Sequence, residues 1–455
     1  MTSERETAYL KALGSRLLSE ANDLKRTPEA LASDLGIELA SLREVIEGHA
    51  KLDDALAIIF AMVKHYPISL DSLWLNEDDT TSGISIVSAA QSRESSRIFQ
   101  RPTRDGTLAP YYEYRDTAMS RGAPFRPEWI KELRCVDDSD PENPDVVYNN
   151  GHFLHQVTFF IGAVNFYWEH GGRMHCAEMN TGDSNYITPF VRHSFASRDP
   201  DHPGIIIAIT YWGLLYSARD SISRVDMAGL EALSGDSRVS GGFAGRLKRH
   251  LDAESLSVND LLVRLGNTDQ EQMHAVCTGQ QEPSHDQIEM VANALNIRPT
   301  DLMGAIKGEN DDVFVRRRAD APVRAYPASN NDPAYQLIEL VRDQNQPYLK
   351  AFDVSVVGDQ DGEFHHGLHQ YVFNYGEEAV DLFWGNDESA RLEPGDSAYV
   401  RPLTKHRFAR VSQRGAGQLV VMRVPGMLTD SVLDEYAGFA PGARQRVAAE
   451  TRQWF

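Results

Sequence analysis

Cysteine is scarce in this chain: three in 455 residues, Cys135, Cys176 and Cys277, far apart and odd in number. That pattern excludes a readable disulfide framework or zinc knuckle, and each thiol reads as a small buried hydrophobe. Long apolar runs are missing as well. The most apolar stretches, residues 158–164 and 205–216, are too short and too interrupted to cross a bilayer. The opening Met1-Thr-Ser-Glu-Arg-Glu has no apolar signal segment behind basic residues. Positive charge is in deficit, 45 bases against 66 acids, for a formal charge of −21. Such a surface repels nucleic acid and anionic membrane, because affinity for phosphate backbones comes from Lys and Arg. Any anionic small molecule must then be held by a few local bases. With 42% hydrophobic residues, what remains is a reduced, cytoplasmic globular chain of two to four domains.

What is present is a repeat. Residues 27–36 read as a helix opened by Thr27, with Pro28 at its first position and Gly36 at its end. A second periodic segment, 40–47, follows at once, which is the helix-turn-helix pattern; helices over 53–65 and 69–75 complete a small bundle. About 230 residues later the pattern recurs over 257–266, 269–278, 285–295 and 299–303. Behind each bundle lies a β-rich region, and two lines align without a gap: Gly182-Asp-Ser-Asn-Tyr-Ile-Thr-Pro-Phe-Val-Arg-His193 and Gly395-Asp-Ser-Ala-Tyr-Val-Arg-Pro-Leu-Thr-Lys-His406. An earlier pair also matches, Gly151-His-Phe-Leu-His-Gln-Val157 with His365-His-Gly-Leu-His-Gln-Tyr371. A Gly-Asp turn, a strand, a Pro and a His resembles the second signature of the cupin, a small antiparallel β-barrel. The expected fold class is therefore α+β, a tandem repeat of a helix-turn-helix-like bundle and a cupin barrel. Its domains are 1–85 and 241–310 for the bundles, and 86–240 and 311–455 for the cupins. Seams are expected at 78–96, 234–245 and 308–319.

A strand alternates its faces, so a strand through His152 and Gln156 puts both on one side and His155 on the other. With His193 arriving from the Gly182 line, His152, Gln156 and His193 would present three facial metal ligands. That leaves positions for substrate and dioxygen, the arrangement of non-haem Fe(II) oxygenases. The usual third ligand is a carboxylate, and Glu178 and Asp183, nearby in sequence, compete with Gln156 for that place. His170 and His175 read as solvated, in or just after a Glu-His-Gly-Gly-Arg loop. The second region keeps His366, Gln370 and His406 at matching places, either as a second metal site or as side chains retained without function. The latter is favoured, since anion-binding groups are lacking around them.

At these residues the chain resembles a small family of phosphonate oxidases: hydroxyethylphosphonate dioxygenase, methylphosphonate synthase and, more distantly, hydroxypropylphosphonate epoxidase. The motifs that carry the resemblance are Arg104-Asp-Gly106 and the tyrosines after it, Asn149-Asn-Gly-His152, and Gly182-Asp-Ser through His193. It covers nearly the whole chain. It implies His152 and His193 as iron ligands, and Lys25, Arg104 and Asn149 as phosphonate-binding positions. Tyr112 would lie close to the substrate, with Tyr111 and Tyr114 as neighbours that contest that place. A family serine on the strand after the second His falls near 208–210, where this chain has Ala208 and Thr210. The dioxygenases place a ligating Glu six residues before the second His, where this chain has Ile187. An Ile there together with Gln156 resembles the methylphosphonate synthases instead. Ser255 stands where the second repeat would have its Lys25.

The resemblance implies a single Fe(II) cofactor, a small phosphonate and dioxygen as partners, and oxidative cleavage of 2-hydroxyethylphosphonate. The products would be methylphosphonate and carbon dioxide, or hydroxymethylphosphonate and formate in the dioxygenase outcome. Carbon–carbon cleavage supplies the electrons, so neither reductant nor 2-oxoglutarate is required. An Arg fork, a Lys point charge and an Asn amide suit a phosphonate dianion. The rival from another class is a transcription regulator, whose recognition helices would need basic residues. Residues 40–48 carry one Arg against two Glu, and 269–276 carry no Lys or Arg, so base reading is disfavoured. Homo-oligomerisation is left open.

Overall fold

The computed structural model describes residues 3–234, 242–266, 268–303, 312–328, 333–358, 362–412 and 415–447. The expected seams at 234–245 and 308–319 lie partly outside the described residues. Helices take up both expected stretches. Thr27 accepts a hydrogen bond from the Ala30 amide, Pro28 opens the helix Pro28–Leu35, and Gly36 closes it in the left-handed region. A 21-residue helix that the sequence pattern did not announce, Ser3–Asp23, packs its Leu10, Leu13 and Leu17 into the bundle core. In the second bundle, helices Phe243–Glu254, Val258–Leu265, Gln270–Cys277 and His285–Leu295 enclose an equivalent core.

In the first half the strands are β1 (Ile84–Val87), β2 (Arg97–Pro102), β3 (Leu108–Asp116), β4 (Phe125–Glu132) and β5 (His155–Ile161), then β6 (Val164–His170), β7 (Arg173–Met179), β8 (Ser184–Ile187), β9 (His193–Ser197) and β10 (Ile205–Tyr211). In the second they are β11 (Val313–Arg316), β12 (Val323–Tyr326), β13 (Tyr335–Glu339), β14 (Lys350–Val356) and β15 (His369–Asn374), then β16 (Val380–Trp384), β17 (Glu388–Leu392), β18 (Ser397–Val400), β19 (His406–Arg410) and β20 (Gly417–Val424). Each half forms a seven-stranded and a three-stranded sheet, and every pairing within them is antiparallel.

The halves exchange their edge strands. β1 pairs with β18 of the second half, and β11 pairs with β8 of the first. Contiguous stretches such as 86–240 and 311–455 therefore do not contain whole sheets. This exchange gives the repeated Gly-Asp-Ser line its meaning. Asp183 accepts from the backbone amide of Arg318, just after β11, at 2.8 Å, and Asp396 accepts from the amide of Ala89, just after β1, at 2.7 Å. Ser184 accepts from the Val341 amide and Ser397 from the Ala118 amide, at 2.9 and 2.8 Å. Each half thus satisfies backbone donors of the other, which would otherwise be costly to bury. The outer faces of the two large sheets share one core, with Phe125, Phe159 and Tyr211 from one side and Tyr371, Tyr399 and Met422 from the other.

Candidate functional site

In the first half the inner faces of β2, β3, β4, β5 and β10, facing β9, enclose a cavity of about 370 Å³. The two-residue period of a strand selects what lines it. Arg97, Phe99 and Arg101 come from β2, Tyr112 and Tyr114 from β3, and Arg126, Glu128 and Ile130 from β4. Gln156 and Thr210 face in from β5 and β10, His193 and Phe195 from β9, and Asn149, His152 and Leu154 from the loop before β5.

His152 is not on a strand, since β5 begins only at His155. Its loop lies against Phe190, whose amide donates to the His152 carbonyl at 2.9 Å. Gly151 makes this approach feasible: its φ is +71°, and a Cβ there would lie 2.5 Å from the Phe190 backbone. His152 donates from Nδ1 to the Leu154 carbonyl at 2.9 Å, and His193 donates from Nδ1 to the Val191 carbonyl at 2.8 Å. A carbonyl can only accept, so both rings carry their lone pair on Nε2. The ring centres are 5.4 Å apart. Gln156 Oε1 sits 3.1 Å from His152 Nε2 while its NH2 group donates to Thr158 Oγ1 at 2.9 Å. Two acceptors so close repel one another unless a cation lies against both. Burial brings His193 down to about 4, so its ring is neutral at pH 7 and available as a ligand. His152, Gln156 and His193 therefore fit a metal by the chemistry of their donor set. Among the described residues no three His, Cys, Asp or Glu side chains cluster to offer an alternative.

The competing carboxylates are elsewhere. Asp183 binds the Asn180 amide, the Arg318 amide and the Arg317 guanidinium, and Glu178 is exposed on β7 beside Arg198. Ile187, fully buried on β8, is the direct cross-strand partner of Gln156 and so shares its face. His155 points away as expected and meets the Tyr186 hydroxyl at 2.7 Å. His170 and His175 are strand residues of the β6–β7 hairpin rather than solvated loop residues. His175 stacks on Trp168, and His170 contacts Asp312.

Asn149 donates from its NH2 group to His193 Nε2 at 3.0 Å, and its oxygen takes the Gly151 and His193 amides. Lys25 and Arg104 do not line the cavity. Lys25 ends the helix Ser3–Asp23 with φ 58°, its Nζ on the carbonyls of Asn22 and Asp23; Ser255 ends its helix in the same left-handed conformation. Arg104 sits at the tip of the β2–β3 hairpin, 59% exposed, and pairs with Asp145 at 2.8 Å. The cavity's positive charge comes from Arg97, Arg101 and Arg126 instead; the two-residue spacing of Arg97, Phe99 and Arg101 was their one local signal, since a bulge at Tyr111 breaks the alternation that would have tied them to Tyr112. Of these, Arg97 is paired with Asp116 at 2.8 Å, whereas Arg101 and Arg126 have no ion-pair partner among the described residues. The Tyr112 ring faces the cavity, but its hydroxyl is committed to β9. It accepts from the Phe195 amide at 3.0 Å and lies 3.1 Å from Ser194 Oγ. Tyr114, two residues on, lines the same wall without a hydroxyl partner among the described residues.

No family model matches the chain. Methylphosphonate synthase of Nitrosopumilus maritimus is 36% identical over 98% of this chain and 96% of that relative. Among solved structures, Streptomyces albus HEPD with 2-hydroxyethylphosphonate and Fe(II) bound superposes with a TM-score of 0.88 at 33% identity, covering 98% of this chain and 99% of the other. A variant 2-hydroxyethylphosphonate dioxygenase, 20% identical with a TM-score of 0.72, shares the fold over 95% of this chain. With a third of its residues identical from end to end, and with two histidines and a glutamine gathered in one cavity, the chain belongs to the family of methylphosphonate synthase and hydroxyethylphosphonate dioxygenase.

Proposed function

We propose that this chain is a non-haem Fe(II) oxygenase that uses dioxygen to cleave 2-hydroxyethylphosphonate to methylphosphonate, carbon dioxide and water. That set of products accounts for every atom and electron of one substrate and one dioxygen. In this reading the architecture is a tandem of helix-turn-helix-like bundles, 1–85 and 241–310, and cupins, 86–240 and 311–455, that swap edge strands. The observation that carries the branch is the pairing of Gln156 with Ile187, which leaves an amide and an isoleucine where a carboxylate ligand would stand.

His152, Gln156 and His193 would hold iron, which when bound supplies the dioxygen and one-electron chemistry that side chains lack. Arg101 and Arg126 would take the phosphonate dianion through charge-assisted hydrogen bonds. Asn149 keeps its NH2 group on the His193 lone pair that a metal would claim, so metal uptake would free that donor for the substrate. Tyr114 adds a hydroxyl donor on the same wall, and Phe99, Ile130 and Phe195 keep the cavity dry. Lys25 and Arg104 would reach the phosphonate only by leaving their present partners.

Phosphorus NMR of the iron-reconstituted protein with 2-hydroxyethylphosphonate and air tests the proposal. A methylphosphonate resonance is expected. Hydroxymethylphosphonate would overturn the branch, and unchanged substrate with iron verified bound would overturn the substrate.

A further inference from the structure

The second half retains His366, Gln370 and His406, and these three side chains also converge. Gln370 Oε1 is 3.1 Å from His366 Nε2, and Gln370 Nε2 is 2.8 Å from His406 Nε2. What differs is a fourth residue. On β20, directly opposite Gln370, stands Arg423; the residue directly opposite Gln156 on β10 is Thr210. The Arg423 guanidinium donates from Nε to Gln370 Oε1 at 2.7 Å. It is flanked by the rings of Phe352 and Phe364, 5.3 and 5.1 Å from their centres, and has no ion-pair partner among the described residues.

Hydrogen-bond polarity closes this cluster completely. Arginine can only donate, so the Gln370 atom it meets is the oxygen. The Leu368 amide donates to His366 Nδ1 at 3.3 Å, so His366 carries its proton on Nε2 and donates it to that same oxygen. His406 donates from Nδ1 to the Thr404 carbonyl at 2.9 Å, so its Nε2 accepts from the Gln370 NH2 group. Every lone pair a metal would use is taken, and a fixed positive charge already lies against the glutamine oxygen. In the first half, by contrast, His152 has the opposite tautomer and confronts Gln156 Oε1 with a lone pair.

We propose that the second half is a latent metal site plugged by Arg423: the guanidinium serves as its resident cation, limits the chain to one metal, and holds His366, Gln370 and His406 together. Removing it and restoring the threonine of the first half should open a second site for a divalent cation with two imidazoles and an amide oxygen.

Anaerobic titration of the full-length protein with Co(II), followed by visible absorption and by metal analysis after desalting, tests this. Wild type is expected to bind one Co(II), lost in His193→Ala and unaffected by His406→Ala. Arg423→Thr is expected to bind two, the second surviving His193→Ala and lost with His406→Ala. Two equivalents in wild type, one of them dependent on His406, would overturn the proposal. So would a folded Arg423→Thr that still binds one. Should Arg423→Thr fail to fold, the wild-type and His406→Ala stoichiometries decide alone. A wild type that binds no metal would sink the reading of the first site, while a gain in Arg423→Thr would still support the plug.

Discussion

The two halves are the same fold with different interiors, and the register of their strands allows a residue-by-residue comparison. Gln156, Thr210 and Arg126 stand side by side in one; Gln370, Arg423 and Lys350 stand in those places in the other. Along β4 the inward residues are Glu128, Ile130 and Glu132, and along β14 they become Phe352, Val354 and Val356. Tyr112 corresponds to Tyr335, whose hydroxyl accepts from the Phe408 amide as that of Tyr112 does from Phe195. Tyr114 corresponds to Leu337. What the halves share is scaffolding, and in these places the first half alone has Tyr114, Glu128 and Glu132, polar where the second half has Leu337, Phe352 and Val356. Of these, Glu132 is fully buried with neither carboxylate oxygen bonded among the described residues, a costly placement that Val356 avoids in the second half.

The glutamines should break this comparison most visibly. Gln156→Ala is expected to lower iron retention and turnover by on the order of 100-fold, because even outer-shell partners of a metal cost 10–100-fold when removed. Gln370→Ala should leave iron and turnover at wild-type levels while costing stability, about 1–3 kcal/mol for the unsatisfied donors left around Arg423. Iron content and denaturant midpoints of the two variants decide it, and equal loss of iron in both would end the asymmetry. The arginines come next. Arg101→Ala should raise KM roughly 10- to 100-fold, the equivalent of a lost hydrogen bond to a charged group. Arg104→Ala, at an exposed pair, should change KM by less than about 3-fold. A KM effect confined to Arg104 would return the anion to the hairpin tip. The tyrosines separate scaffolding from site. Tyr112→Phe and Tyr335→Phe should each cost about 1 kcal/mol of stability, whereas Tyr114→Phe should leave the melting temperature alone and raise KM several-fold. A Tyr112→Phe variant that alters KM but not stability would reverse these roles.

The repeat, both helical stretches and the gathering of His152, Gln156 and His193 at one cavity were legible in the sequence because each rests on local spacing: a capping Thr and terminal Gly for the helices, and the matched Gly-Asp-Ser to His lines for the strands. The resemblance to known phosphonate oxidases added the chemistry. Arg104 was drawn from motif position, and the structure places it at the hairpin tip, outside the cavity lining. A turn residue points its side chain wherever a carboxylate offers, here Asp145, while the strand before it delivers Arg97 and Arg101 to the cavity wall by alternation. The strand exchange was hidden for a different reason. Pairing β1 with β18 and β11 with β8 joins segments 310–316 and 126–132 residues apart, and no local pattern records that. Arg423 was equally invisible. Only the β15–β20 register brings it opposite Gln370, and a lone arginine on an apolar strand reads as an edge residue until its partner is known.

Glu132 offers the subtlest separation of the halves. It is fully buried opposite Tyr112, in the register place where the second half has Val356 opposite Tyr335. Neither of its carboxylate oxygens has a hydrogen-bond partner among the described residues. Burial alone raises its pKa well above the ordinary carboxylate value, so the native protein holds a proton there that the unfolded chain releases above about pH 4.5. The native state then binds more protons than the unfolded state across that range, and stability must fall as pH rises. The contribution is fully present below the unfolded pKa and is lost toward the folded one, at up to about 1.4 kcal/mol per pH unit for one proton. Glu132→Gln keeps the shape and removes the titration, so urea unfolding at pH 5.5, 7 and 8.5 should show the variant gaining on wild type with each step. Val356→Ala, a cavity-forming change in the second half, should instead lower stability by the same amount at all three. Parallel curves for Glu132→Gln and wild type would mean that the carboxylate is ionised in the folded protein, with a cation or ordered water beside it. The first half's interior would then be charged one layer deeper than its cavity.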